Sequence, residues 1–222
     1  DDELVLKFQI VDKGSFPFWD NNKSLLDNLY PPRYRHLFFL SLVFNYSKGE
    51  LNPFGYHLIN LSLHFMTSVI VFFITFITIT KGIFWGKKEA FAIAVITTLF
   101  FALNPVHSET INYISARAVG MSSFFYLLAL LSFICGSFRE RSAILRCLLY
   151  LLSLIVFIAS VLSKETALTF PVTALLYDIC FMRKEGWTST RSRFLFFYLP
   201  FVTCVAFAIF KVPFFSKGFS MQ

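Results

Sequence analysis

The chain has 222 residues, of which 56% are hydrophobic and only 15% charged, and its formal net charge is +7. Soluble globular domains carry about 25% charged residues, so this composition excludes an ordinary soluble enzyme. The 20 Lys and Arg residues do not gather on one soluble face, which excludes a nucleic-acid-binding module as well.

Residues 1–55 begin with the acidic pair Asp1-Asp2 and hold the clusters SFPFWDNN, PPRYRH and HLFFLSLVFNY. The apolar run 37–46 is too short to cross a bilayer. Tyr30, Tyr34 and Tyr46 suit headgroup depth, so the run predicts a helix lying along the membrane interface. No signal-peptide pattern heads the chain. Its start at Asp1 reads as a piece of a longer protein with an earlier helix ahead of it.

Six apolar runs follow, at residues 56–80, 90–103, 121–138, 147–162, 167–182 and 194–212. A bilayer core needs about 20 mostly apolar residues per helix. The shorter runs borrow flanking residues or form broken helices shielded by neighbours. The expectation is an all-α polytopic transmembrane bundle with three parts. These are an extracytoplasmic segment 1–55, a helical domain 56–212 of about six spans, and an outer tail 213–222.

Basic residues set the orientation. Lys81, Lys87 and Lys88 lie in one loop, Arg139, Arg141 and Arg146 in a second, and Arg183, Lys184, Arg191 and Arg193 in a third. With single crossings these loops share a side, which the positive-inside rule makes cytoplasmic. The other side collects the segment 1–55, the stretch NPVHSETINYISARA at 104–118, and Ser163-Lys164-Glu165. Three polar interruptions on one membrane face, carrying His107, Glu109, Arg117, Lys164 and Glu165, mark a candidate site there.

Simpler roles stand beside this. Glu109 suits a helix N-terminus, Lys164 and Glu165 can pair with each other, and His57 and His64 read as packed against neighbouring helices. Asp178 marks the cytoplasmic end of its span. Cys135, Cys147, Cys180 and Cys204 sit in or beside apolar runs without metal-site spacing, as small hydrophobes. His107 and Glu109, two apart, face different sides of a helix and do not make a joint metal site. The spans are nearly free of charge, whereas a transporter places ionisable groups near the midplane.

The ordered motifs are the acidic pair, YRHLFFLSLVFNY, NPFGYHLINLSLH, FALNPVHSETINYISARA and SKETALTFPVTALLYD. Together they resemble the membrane half of the transmembrane O-mannosyltransferases that target cadherins, and of bacterial relatives that carry tetratricopeptide repeats. These are GT-C glycosyltransferases. The family reads Tyr-Arg-Pro where this chain has Tyr34-Arg35-His36, and His-Pro-x-His-Thr-Glu where it has Asn104-Pro105-Val106-His107-Ser108-Glu109.

The resemblance implies a GT-C-like fold that moves mannose or a similar sugar from a polyprenyl-phosphate to a protein or glycan acceptor on the non-cytoplasmic face. Asp1 or Asp2 would be the general base on the acceptor hydroxyl. Arg35, Arg117 and Lys164 would hold the donor phosphate, with His107, Glu109 and Glu165 in support. No metal-binding set is expected, and a divalent metal is left as an open helper. Partners would be the lipid-linked sugar, the acceptor and membrane lipids, with other membrane subunits as a further class. The alternative is a non-catalytic membrane subunit that keeps the fold. The absence of repeats and of paired outer cysteines favours a bacterial inner membrane facing the periplasm over an endoplasmic reticulum membrane facing the lumen.

Overall fold

Asn52-Pro53 starts the longest helix for local reasons. The Asn52 side chain accepts from Phe54 N at 3.0 Å, and Pro53 occupies the first turn, where its missing N–H is not needed. This helix appears in a computed structural model that describes residues 36–49, 52–83, 86–182, 188–189, 193–198 and 201–202. Its helices are α1 (His36–Gly49), α2 (Pro53–Ile77), α3 (Lys87–Ala102), α4 (Ser108–Asn112), α5 (Arg117–Gly136), α6 (Ala143–Ser163) and α7 (Phe170–Phe181). A π-helical segment, Thr78–Ile83, extends α2, and another, Phe194–Tyr198, follows α7. The described residues form an all-α bundle.

Three helices are long and apolar enough to cross a membrane: Pro53–Ile83, Arg117–Gly136 and Ala143–Ser163. A fourth crossing forms if α3 is taken with Pro105–Asn112, the two being bent by 47°. Pro105 causes the break, since it cannot continue the helix and turns the residue before it away from helical geometry. Large apolar side chains cover the outside, as Phe65 (66% exposed) and Phe100 (77% exposed) illustrate. A surface of this kind belongs in lipid. The chain is an integral membrane protein.

One expected span comes out differently. Residues 167–182 form a 3₁₀ turn, Glu165–Thr169, and then the 12-residue helix α7. At 1.5 Å per residue, α7 is about 18 Å long, short of a core about 30 Å thick. Of the expected span 194–212, only 194–198 and 201–202 are described. The tail 213–222 lies outside the described residues. The run expected to lie along the interface is helical, as α1. It buries Phe38 and Leu42 against Tyr56, Ile114 and Ala118, and exposes Leu40 and Phe44.

The core sits where α5 and α6 run antiparallel, the most extensive helix pair. Small polar residues let the two backbones approach: Ser153 Oγ donates to Ala129 O and Ser160 Oγ to Ser122 O, both at 2.8 Å. Around them Phe133 meets Phe197 with ring centroids 4.2 Å apart, and Phe157 meets Phe201 at 4.6 Å. Gly136 is required by this approach. A Cβ there would lie 2.8 Å from the Tyr150 ring, itself buried beside Phe133 and Phe197. Gly136→Val is expected to destabilise by about 1–3 kcal/mol through overpacking, read as a lower midpoint of thermal unfolding in detergent.

The antiparallel course puts the basic segments at one end. There Gly82 meets Phe181, and Thr188 N donates to Ser137 O at 2.9 Å. A two-point ion pair locks this end. Arg193 Nη2 lies 2.6 Å from Asp178 Oδ1 and Arg193 Nε lies 3.0 Å from Oδ2. Arg193 also donates to the carbonyls of Thr188 and Met182, and Tyr198 Oη donates to Asp178 Oδ2 at 3.2 Å. Asp178 does lie at the basic end, and its carboxylate is buried within this latch.

Candidate functional site

At the opposite end, residues 104–116 join α3 to α5. Asn104 accepts from Val106 N at 3.0 Å and caps the 3₁₀ turn Pro105–His107, which runs into α4. Helix α4 leaves carbonyls without helical partners at its end. Asn60 of α2 supplies donors, its Nδ2 lying 3.2 Å from both Ile111 O and Tyr113 O.

The same Asn60 turns its other face to Arg117, the first residue of α5. Arg117 Nε donates to Asn60 Oδ1 at 2.8 Å, Nη1 to Asn45 Oδ1 at 2.6 Å, and Nη2 to Tyr56 O at 2.9 Å. Longer bonds of 3.4 Å reach Ser41 O and Oγ. The guanidinium also sits 5.4 Å from the Tyr56 ring centroid, and the residue is 0% exposed. Every acceptor among the described residues is neutral. The arrangement ties α5 to α1 and α2.

Beside this brace a cleft of about 600 Å³ opens between α2, α5, the 104–112 segment and the Glu165–Thr169 turn. Small-ligand sites commonly fall in this size range. One wall is aromatic. His64 stacks on Phe101 at 5.6 Å and its Nε2 is 3.0 Å from Ala102 O. His107 lies 4.5 Å from Phe101 and 5.3 Å from His64, ring centroid to ring centroid.

The other walls carry hydroxyls. Thr67, Thr110, Ser122 and Ser123 line them, with Thr166 and Thr169 from the turn. Tyr126 Oη is within hydrogen-bond reach of Thr173 Oγ1 and, at 3.4 Å, of Thr169 Oγ1. No carboxylate or ammonium lines the cleft among the described residues. Such a surface can orient a neutral polyhydroxyl ligand by hydrogen bonds and ring contact.

The structure distributes the sequence-predicted residues unevenly. Asp1, Asp2 and Arg35 lie outside the described residues. His107 lines the cleft, while Glu109 is exposed and is not a partner of Arg117. Lys164, half-buried, ends α6 and precedes the turn whose Thr166, Ala167 and Thr169 line the cleft; Glu165 is exposed. The donors of Arg117 are engaged by Asn45, Asn60 and Tyr56 inside the bundle. His64 is packed as expected and lines the cleft as well. Among the described residues no group of three His, Cys, Asp or Glu side chains comes together as a metal site.

Sequence reasoning missed Asn60 and Asn45. The signal for Asn60 was present, since a lone amide inside FGYHLINLSLHF is costly in lipid unless it has partners. Tyr126, Thr169 and Thr173 carried no comparable signal.

No family model matches the chain, and no solved structure matches it. Among curated proteins it is similar to Protein O-mannosyl-transferase TMTC1 of Homo sapiens, 30% identical over 170 residues, which is 73% of this chain and 18% of that protein. Protein O-mannosyl-transferase TMTC3 of Homo sapiens is 38% identical over 100 residues, 45% of this chain and 10% of that protein. Protein O-mannosyl-transferase tmtc2 of Xenopus laevis is 31% identical over 151 residues, 68% of this chain and 17% of that protein. The chain therefore spans less than a fifth of the length of these relatives.

Proposed function

We propose that this chain, a relative of the transmembrane protein O-mannosyl-transferases, is the membrane part of a GT-C-type glycosyltransferase. It would pass mannose from a polyprenyl-phosphate donor to a hydroxyl of a protein acceptor on the non-cytoplasmic face. The observation that carries this reading is the hydroxyl-lined cleft, without carboxylate or ammonium among the described residues, at the end of the bundle opposite the basic segments. A sugar presents hydroxyls and an apolar ring face, and the cleft offers partners for both.

In the proposed reaction the acceptor oxygen attacks the anomeric carbon of the sugar. A new C–O bond forms as the bond to the phosphate oxygen breaks, and the lipid phosphate leaves with the bonding electrons. The acceptor proton goes to the carboxylate of Asp1 or Asp2, and a base in reach contributes about 10²–10⁴-fold. Lys164 and Arg35 would stabilise the departing phosphate. Arg117 would act by holding α5 and the 104–116 segment in register through Asn60. The relatives named above come from animals, which favours an endoplasmic reticulum membrane with the site facing the lumen over a bacterial inner membrane.

The test is mannosyl transfer from a polyprenyl-phosphate-mannose to an acceptor peptide by the full-length protein. Asp1→Asn and Asp2→Asn keep size while removing proton acceptance. One of them is expected to lose at least 10²-fold in turnover with donor binding retained. Normal turnover in both variants would place the base elsewhere. Absence of transfer by the wild-type protein with every donor offered would favour a non-catalytic membrane subunit.

A further inference from the structure

We infer that the basic end carries a second site, a cavity that holds the headgroup of an anionic phospholipid of the cytoplasmic leaflet. The cavity, about 400 Å³, lies between the π-helical end of α2 and the connection from α5 to α6. Its lining is Lys81, Phe138, Glu140 and Arg141. The cations come from segments far apart in sequence, so the cavity is made by the fold and not by one basic loop. The guanidinium of Arg141 sits 5.6 Å from the Phe138 ring centroid, a stacked position that leaves its edge donors for an oxygen ligand. Within the described residues the only ion pair is that of Arg193 with Asp178, so Glu140 neutralises neither Lys81 nor Arg141 by direct contact.

Among the described residues, two cations against one carboxylate leave a net positive lining, suited to a phosphodiester. The apolar surroundings decide between a lipid and a free anion. Ile83 (43% exposed), Ile144 (76%) and Leu148 (57%) are neighbours of these segments in the chain and face outward from the bundle. A headgroup in the cavity would have apolar side chains close by for its acyl tails, an advantage that a free phosphate lacks. Basic pockets between membrane helices on the cytoplasmic side hold anionic headgroups by this combination.

The test uses the full-length protein in nanodiscs of equal phosphatidylserine and phosphatidylcholine, with retained lipid counted by native mass spectrometry. The wild type is expected to retain phosphatidylserine preferentially. Lys81→Gln with Arg141→Gln is expected to reduce that preference about tenfold, whereas Arg139→Gln, exposed and outside the lining, leaves it unchanged. Arg141→Gln alone is expected to give part of the loss, and serves if the double variant does not fold. An unchanged preference in the folded variants would overturn the assignment, as would an equal loss in Arg139→Gln. A site for free phosphate would appear as a phosphate-dependent rise in melting temperature without any lipid preference, and that result overturns it too.

Discussion

Asp178→Ala is expected to destabilise the folded protein by about 3–5 kcal/mol, because it removes the carboxylate that pairs with the buried Arg193 guanidinium. The carbonyls of Thr188 and Met182 still accept from Arg193, but a neutral carbonyl does not replace the lost charge. Tyr198 would lose one of its two acceptors and keep Ala174 O at 3.3 Å. Asp178→Asn should cost nearly as much, since it preserves shape and removes the charge. Replacing both partners, Asp178→Leu with Arg193→Leu, should recover much of the loss, because apolar pairs of similar volume are tolerated where buried ion pairs stood. Thermal unfolding of the purified protein in detergent measures each variant. A double variant as unstable as the sum of the singles would show that the two residues do not act as a pair.

Arg117→Ala is expected to cost about 3 kcal/mol or more, as hydrogen bonds to charged groups are worth about 1.5–3 kcal/mol each and their partners would be left buried. Asn45 Oδ1, Asn60 Oδ1 and Tyr56 O would all lose a donor. Arg117→Lys keeps the charge and loses the fork, and should fall between wild type and alanine. Asn60→Ala should reproduce much of the effect, since it also releases Ile111 O and Tyr113 O. Unfolding without any donor present separates bracing from phosphate binding. Unchanged stability in Arg117→Ala would leave the phosphate role as the better account.

These two residues show how far the sequence could be read. Charge and hydropathy marked both Asp178 and Arg117 as exceptional and placed them at opposite ends of the bundle. They could not name partners. Arg193 reaches Asp178 from 15 residues away, across a connection that hydropathy sees only as a basic loop. Arg117 was expected to face a ligand because it is a cation on the membrane face that the positive-inside rule leaves poor in basic charge. Its partners are neutral amides and a carbonyl, and a hydropathy window averages Asn60 away among its apolar neighbours. The break near residue 104 was legible because Pro105 imposes it by covalent geometry. The short α7 was less so, since Pro171 at its start and the 3₁₀ turn ahead of it divide a run whose composition is mostly apolar. His107 was singled out for its polarity. The cleft it lines was not legible, because its other walls come from hydroxyls on four separate segments.

The brace and the latch also differ in when they can form as the ribosome delivers the chain. Ser41, Asn45, Tyr56 and Asn60 all precede Arg117, so its socket has been synthesised before the arginine emerges. Asp178 precedes its partner by 15 residues, and at about 5–20 residues per second the carboxylate waits on the order of a second or more for Arg193. During that interval the carboxylate is without the guanidinium that neutralises it. The brace can therefore settle early in biogenesis, while the basic end closes only once the segment after α7 has been made.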